Sequence, residues 1–126
     1  MHGIVSPISI PSLPLTEAAL AQWLAGAPAG ARIEYHRGLL AVDMSSNAGS
    51  PLPVHERREL QRVAARAWRL AEAGLVHLVQ RRHGDFEHAY LLEVRPRPVK
   101  LTARQAKLLP ALPAISPAAE VFAAAA

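Results

Sequence analysis

Four arginines, Arg58, Arg62, Arg66 and Arg69, recur at helical spacing in the middle of the chain, and Arg81, Arg82 and His83 follow a short distance downstream. A guanidinium offers a planar fork of donors that fits phosphate or carboxylate oxygens, so the chemistry these residues can do is recognition of an acidic partner. Of the 14 basic residues 12 are arginine, the formal charge is +4 and the sequence pI is near 10.3. This balance favours a nucleic acid or an acidic protein surface as partner. Composition bias towards Arg and Ala can arise in a GC-rich genome as well, which weakens the inference without reversing it. The bland alternative for the arginine stripe is a solvated helix face. Against that alternative, only Glu59 with Arg62 and Arg69 with Glu72 have the spacing for compensation within the helix.

The other chemistry-bearing residues do not assemble into a catalytic set. His55-Glu-Arg-Arg-Glu59 lacks the second histidine of the zinc-binding pattern His-Glu-x-x-His, and His83, Asp85, Glu87 and His88 crowd one turn, where coordination would be partial. No metal site and no cofactor is therefore expected. Gly26-Ala-Pro-Ala-Gly30 has no Lys-Ser/Thr and follows no strand, so it reads as a linker and not as a phosphate-binding loop. No serine sits in a nucleophile elbow, and Asp43 has no convergent partner that spacing can name. With no cysteine, thiol catalysis, disulfides and zinc-thiolate sites are excluded together. The expectation is a binding protein and not an enzyme.

The elements that must position the arginines follow from pattern. The 126 residues suffice for one core, with 51% apolar residues but only 5% aromatic ones. No apolar run reaches the roughly 18 to 20 residues of a membrane span and the start carries no signal-peptide pattern, so the expected location is cytoplasmic. Residues 1–15, with Pro7, Pro11 and Pro14, read as an extended arm. Thr16 is an N-cap for a helix through Ala25 that stops at Gly26, and Trp23 falls on its apolar face. Residues 32–36 alternate as a strand, Gly38 marks a bulge, a bend or a tight turn, Leu39 to Val42 is continuously apolar, and Asp43 to Pro53 reads as a loop.

Residues 54–73 form the principal helix. Leu60, Val63, Ala64, Ala67, Leu70 and Ala71 share one side with Trp68 at the border, and the four arginines lie opposite. Gly74 with Leu75 is the expected left-handed stop. Residues 75–82 and 88–95 pair as a hairpin around Gly84, with Val76, Leu78, Tyr90, Leu92 and Val94 on one buried face. Core packing is the expected role of Trp23, Trp68 and Tyr90. Thr102 with Gln105 predicts a capping box for a short helix over 103–109, and a Pro/Ala-rich tail follows from Pro110.

This α+β order resembles the winged-helix family of the helix-turn-helix class, through the long helix, the passage Leu70-Ala-Glu-Ala-Gly-Leu-Val76 and the hairpin from Val76 to Arg95 in the place of a wing. The resemblance covers roughly residues 16–95, within a domain expected over 16–98, with 99–126 as short helix and tail. It implies that Arg58, Arg62, Arg66 and Arg69 meet phosphates or base edges of duplex DNA, with Arg81, Arg82 and His83 on the wing. One departure stands: the family has two helices between its first strand and the hairpin. Either Pro51 to Arg58 is a separate short helix, or the fold is a different α+β sandwich. In style the chain is similar to short accessory proteins of bacteria and their prophages, which leaves two expected functions. One is a DNA-binding regulator. The other is an inhibitor of a host protein or immune complex, anti-CRISPR-like, that uses the same basic face. A homodimer is compatible with both.

Overall fold

The computed structural model describes residues 11, 13–46 and 49–109. The first ten residues of the expected arm and the expected tail from Pro110 lie outside the described residues. The element order is α1 (Glu17–Gly26), β1 (Arg32–Gly38), α2 (Leu40–Asp43), α3 (Val54–Glu72), β2 (Val76–Gly84), β3 (Glu87–Val94) and α4 (Ala103–Leu108). The class is α+β. The three strands make one antiparallel sheet in the order β1-β3-β2, so the second strand of the hairpin is central.

Local chemistry sets most of these boundaries. Thr16 accepts a bond from the Ala19 amide at 3.0 Å and caps α1. At the end of α3, Gly74 takes φ +79, the Leu75 amide donates to the Leu70 carbonyl and the Gly74 amide to the Ala71 carbonyl. These two bonds are the Schellman pattern, and they satisfy carbonyls that a helix end leaves without partners. Leu70 and Leu75 are both buried beneath the turn. The capping box of α4 is present in both halves, Gln105 amide to Thr102 Oγ1 at 3.1 Å and Thr102 amide to Gln105 Oε1 at 2.9 Å.

One face of α3 buries Leu60, Val63, Ala67 and Leu70, and the last three pack with Leu20, Trp23 and Leu24 of α1 and with Ile33, Val76, Leu92 and Val94 of the sheet. Each such side chain removed from water contributes about 1.5–3 kcal/mol before conformational entropy is counted. Sheet and helices thus form two layers with a single core between them, as a half-solvated antiparallel sheet permits.

Pattern left the second helix and the role of Gly38 open and put Trp68 and Leu78 on core faces; the first two are decided and the last is corrected. The second helix lies at Leu40–Asp43, inside the apolar run, and neither within 43–53 nor as a separate Pro51 to Arg58 segment, which α3 absorbs from Val54 onward. The bulge falls at Tyr35, where the pairing of β1 with β3 shifts, while Gly38 ends the strand. Trp68 is 60% exposed and Leu78 39% exposed, so neither belongs to the core. Both line an open groove between α3 and β2.

Candidate functional site

The outer side of α3 carries Arg58, Arg62, Ala65 and Arg69 in one line, at steps of four, three and four residues. The rise of an α-helix puts Arg58 and Arg69 about 16 Å apart along its axis. Tertiary contacts divide the four arginines of the stripe. Arg66 turns aside and meets Glu17 of α1 at 3.0 Å, and it also reaches the Leu108 carbonyl at 3.4 Å. Arg62 pairs with Glu59 one turn earlier, and Glu59 also accepts the Glu17 amide at 2.6 Å. Those two donors hold the Glu59 carboxyl below its ordinary value of 4.5, the backbone amide being the larger cause.

Glu72, spaced to compensate Arg69, pairs instead with Arg104 of α4 at 3.5 Å. Among the described residues neither Arg58 nor Arg69 has a carboxylate partner, and both are exposed. The positive field of the stripe is therefore concentrated at its two ends, with Arg62 partly neutralised between them. Arg66 serves the packing of α1 and α4.

The hairpin separates its two arginines. Arg82 opposes His88 in the ladder and Arg81 opposes Ala89, and successive residues of a strand point to opposite faces. Arg82 shares the face of Leu78 and Gln80, which line a groove with α3. Arg81 projects from the far face, where Ala89 lies between it and Arg37 and is 1% exposed. Arg82 is held by Asp85 at 2.8 Å. Across 76–94 two arginines stand against Asp85, Glu87 and Glu93, so the hairpin as a whole is not basic. His83 is exposed at its end.

A second constellation escaped the pattern reading. His36 Nε2 and Asp43 Oδ2 lie 2.6 Å apart, with both side chains 13% exposed, so Asp43 does have a partner. Gly38 makes room for it: its φ is +139, and a Cβ there would sit 2.6 Å from Asp43 Oδ2. Around this pair, the Leu40 amide donates to the Tyr90 hydroxyl, Ser50 Oγ donates to the Asp43 carbonyl, and Gln61 Nε2 donates to the Met44 carbonyl. Tyr35 and Tyr90 pack beside them as tilted rings with centroids 6.3 Å apart, and burial pushes the Tyr35 phenol up to about 12. The pair ties α2 to β1, and Gln61 ties it to α3. The only hint in sequence was a lone acid, Asp43, at the start of the loop, and no local rule links it to His36.

Of the concavities along α3, two reach the sheet. One, of about 600 Å³, lies between α3 and β2 and is walled by Gln61, Trp68, Arg69, Leu78 and Gln80, with Tyr90 at its base. The other, of about 430 Å³, lies under Leu15 and is walled by His36, Leu52, Glu56 and Glu59 among others. Among the described residues no group of three or more His, Asp or Glu is placed to hold a metal ion, and no helix is long and apolar enough to cross a membrane. No protein-family model, no curated protein and no solved structure matches the chain.

Proposed function

We propose that the protein binds duplex DNA through the outer face of α3 and acts as a small regulatory protein of winged-helix type. The observation that carries this reading is the line Arg58, Arg62, Ala65, Arg69, whose two end guanidinia have no carboxylate partner among the described residues. Their spacing of about 16 Å along the axis is comparable with the roughly 12 Å width of the major groove, so both can reach phosphates while Ala65 lets the helix approach the base edges. The order helix, strand, short helix, long helix, hairpin, with β1 beside β3, supports the winged-helix arrangement. In it α2 takes the place of the helix that crosses behind the recognition helix, and the clamp of His36, Asp43 and Gln61 holds it there.

The test is titration of a fluorescein-labelled mixed-sequence duplex at several salt concentrations. Wild-type protein binds with a steep negative slope of log K against log salt. The double variant Arg58→Glu/Arg69→Glu keeps its circular dichroism and melting temperature, because neither guanidinium supports the fold, and loses duplex affinity by well over about tenfold. Retention of wild-type affinity by that variant would overturn the proposal.

A second reading has its own observation. Phe86, at the hairpin turn, is 80% exposed with φ +60, a left-handed conformation that an aromatic residue rarely adopts, and it is flanked by Asp85 and Glu87. An apolar tip between carboxylates suits a protein surface better than a phosphate backbone. This favours the inhibitor of a host protein as the alternative. Co-purification of one host protein that is lost in Phe86→Ala, with no duplex binding at low salt, would select it.

A further inference from the structure

We propose that the groove between α3 and β2 seats one sugar-phosphate strand of the bound duplex, with Trp68 and Leu78 against the deoxyribose faces and Arg69 on a phosphate. The inference rests on the DNA-binding reading and names the further contact surface within it. The starting point is that Trp68, 60% exposed, and Leu78, 39% exposed, face one another's element across an open concavity of about 600 Å³. Leaving this much indole and isobutyl surface in water forgoes the burial that the rest of the α3 face obtains, and a bound partner is what recovers it.

The charge of the walls selects the partner. Among the described residues Arg69 is the one charged residue of the groove and no carboxylate lines it, while Gln61, Gln80 and Tyr90 bring amide and phenol groups to its surface. A cation and polar side chains above an apolar floor, with no acid, complement an anionic strand that has apolar sugar faces. The concavity under Leu15 suits a polyanion less, since its wall carries Glu56 and Glu59 with Arg62, which is already paired to Glu59. Position agrees with charge. Arg69 belongs both to this groove and to the exposed arginine line of α3. A strand touched by that line therefore continues into the groove without leaving the positive field. The hairpin forms its far side, and of the two hairpin arginines it is Arg82 that lies on the groove's face of the sheet.

The two tryptophans make the proposal directly readable. Trp23 is 5% exposed and shielded from a dissolved quencher, whereas Trp68 is open to it. In the full-length protein, acrylamide quenching of tryptophan emission is measured with and without the fluorescein-free duplex, and duplex affinity is measured in parallel by anisotropy of the labelled form. Duplex should protect most of the quenchable emission, and Trp68→Phe should remove that response. Trp68→Ala should weaken binding about tenfold with the log-log salt slope unchanged, because an indole neutralises no phosphate, while Arg69→Ala should lower the slope by about one.

If the wild type binds duplex, but its indole stays open to acrylamide and Trp68→Ala binds as tightly, the groove proposal is overturned and the DNA reading stands. If the wild type binds no duplex at low salt, the DNA reading itself fails and the groove proposal with it. If Trp68→Ala instead dissociates a dimer at micromolar concentration with duplex binding intact, the groove belongs to a second copy and the proposal is equally overturned.

Discussion

The guanidinium of Arg66 lies 3.0 Å from the carboxylate of Glu17, 49 residues earlier in the chain, and this contact removes Arg66 from the surface that the other arginines of α3 share. It joins the middle of α3 to the first turn of α1, where a carboxylate is already favoured by the helix dipole. Arg66→Ala should lower stability by about 0.5–1 kcal/mol, as for a partly exposed pair, while leaving duplex affinity within a factor of about two or three. Parallel melting and anisotropy measurements on Arg66→Ala and Arg58→Ala check this. The opposite pattern, with Arg66 controlling affinity and Arg58 controlling stability, would show that the division of labour is wrong.

Glu59 predicts the acid limb of the stability profile. Its carboxyl is held below the usual 4.5 by the Glu17 amide and by Arg62. The unfolded chain therefore takes up the proton first, and the stabilisation is complete above pH 4.5 and fades as pH falls through the lower folded value. Wild-type melting temperature should drop across that window more steeply than that of Glu59→Gln, which retains an acceptor but does not titrate. Identical acid limbs for the two proteins would count against the assignment.

Tyr35 predicts the alkaline limb. Its phenol is raised from 10.0 to about 12, chiefly by burial and secondarily by Tyr90. Between these values the unfolded chain loses the proton while the folded one keeps it, so stability is intact below pH 10 and falls from 10 to 12. Tyrosinate absorbance should show the Tyr35 phenol ionising late, as the fold is lost. Tyr35→Phe should remove that late step and flatten the loss of stability.

Gly38 is the residue on which the α2 clamp depends. Alanine there must adopt φ +139 and place a Cβ 2.6 Å from Asp43 Oδ2. Gly38→Ala should cost about 1–3 kcal/mol through strain and displacement of Asp43. Asp43→Asn in the same background should recover little, since the backbone strain remains. Chemical denaturation reads both values, and a neutral Gly38→Ala would mean that the turn from β1 into α2 has more room than its geometry indicates.

Trp68 separates folding from binding most cleanly. With 60% of its surface in water, Trp68→Ala should change stability by less than about 1 kcal/mol, whereas Leu70→Ala, two residues on and fully buried, should cost about 2–5 kcal/mol. Thermal melts of the two variants side by side decide it.

What the sequence alone determined is what short-range physics controls. The 3.6-residue repeat defined α3, Gly74 with Leu75 defined its stop, Thr16 and the Thr102/Gln105 box defined two helix starts, and the hairpin around Gly84 followed from alternation. Each of these signals is read within a few residues of itself. Tertiary structure decided which arginines remain unpaired, because the partner of Arg66 comes from α1 and the partner of Glu72 from α4. It decided that Trp68 stays in water, since a border residue is covered only if a neighbouring layer extends over it, and β2 leaves an open groove there. It decided which of Arg81 and Arg82 shares the groove's face of the sheet, a matter of register. It also brought His36 to Asp43, because a left-handed Gly38 turns the chain sharply enough for a strand residue to meet the end of the following helix.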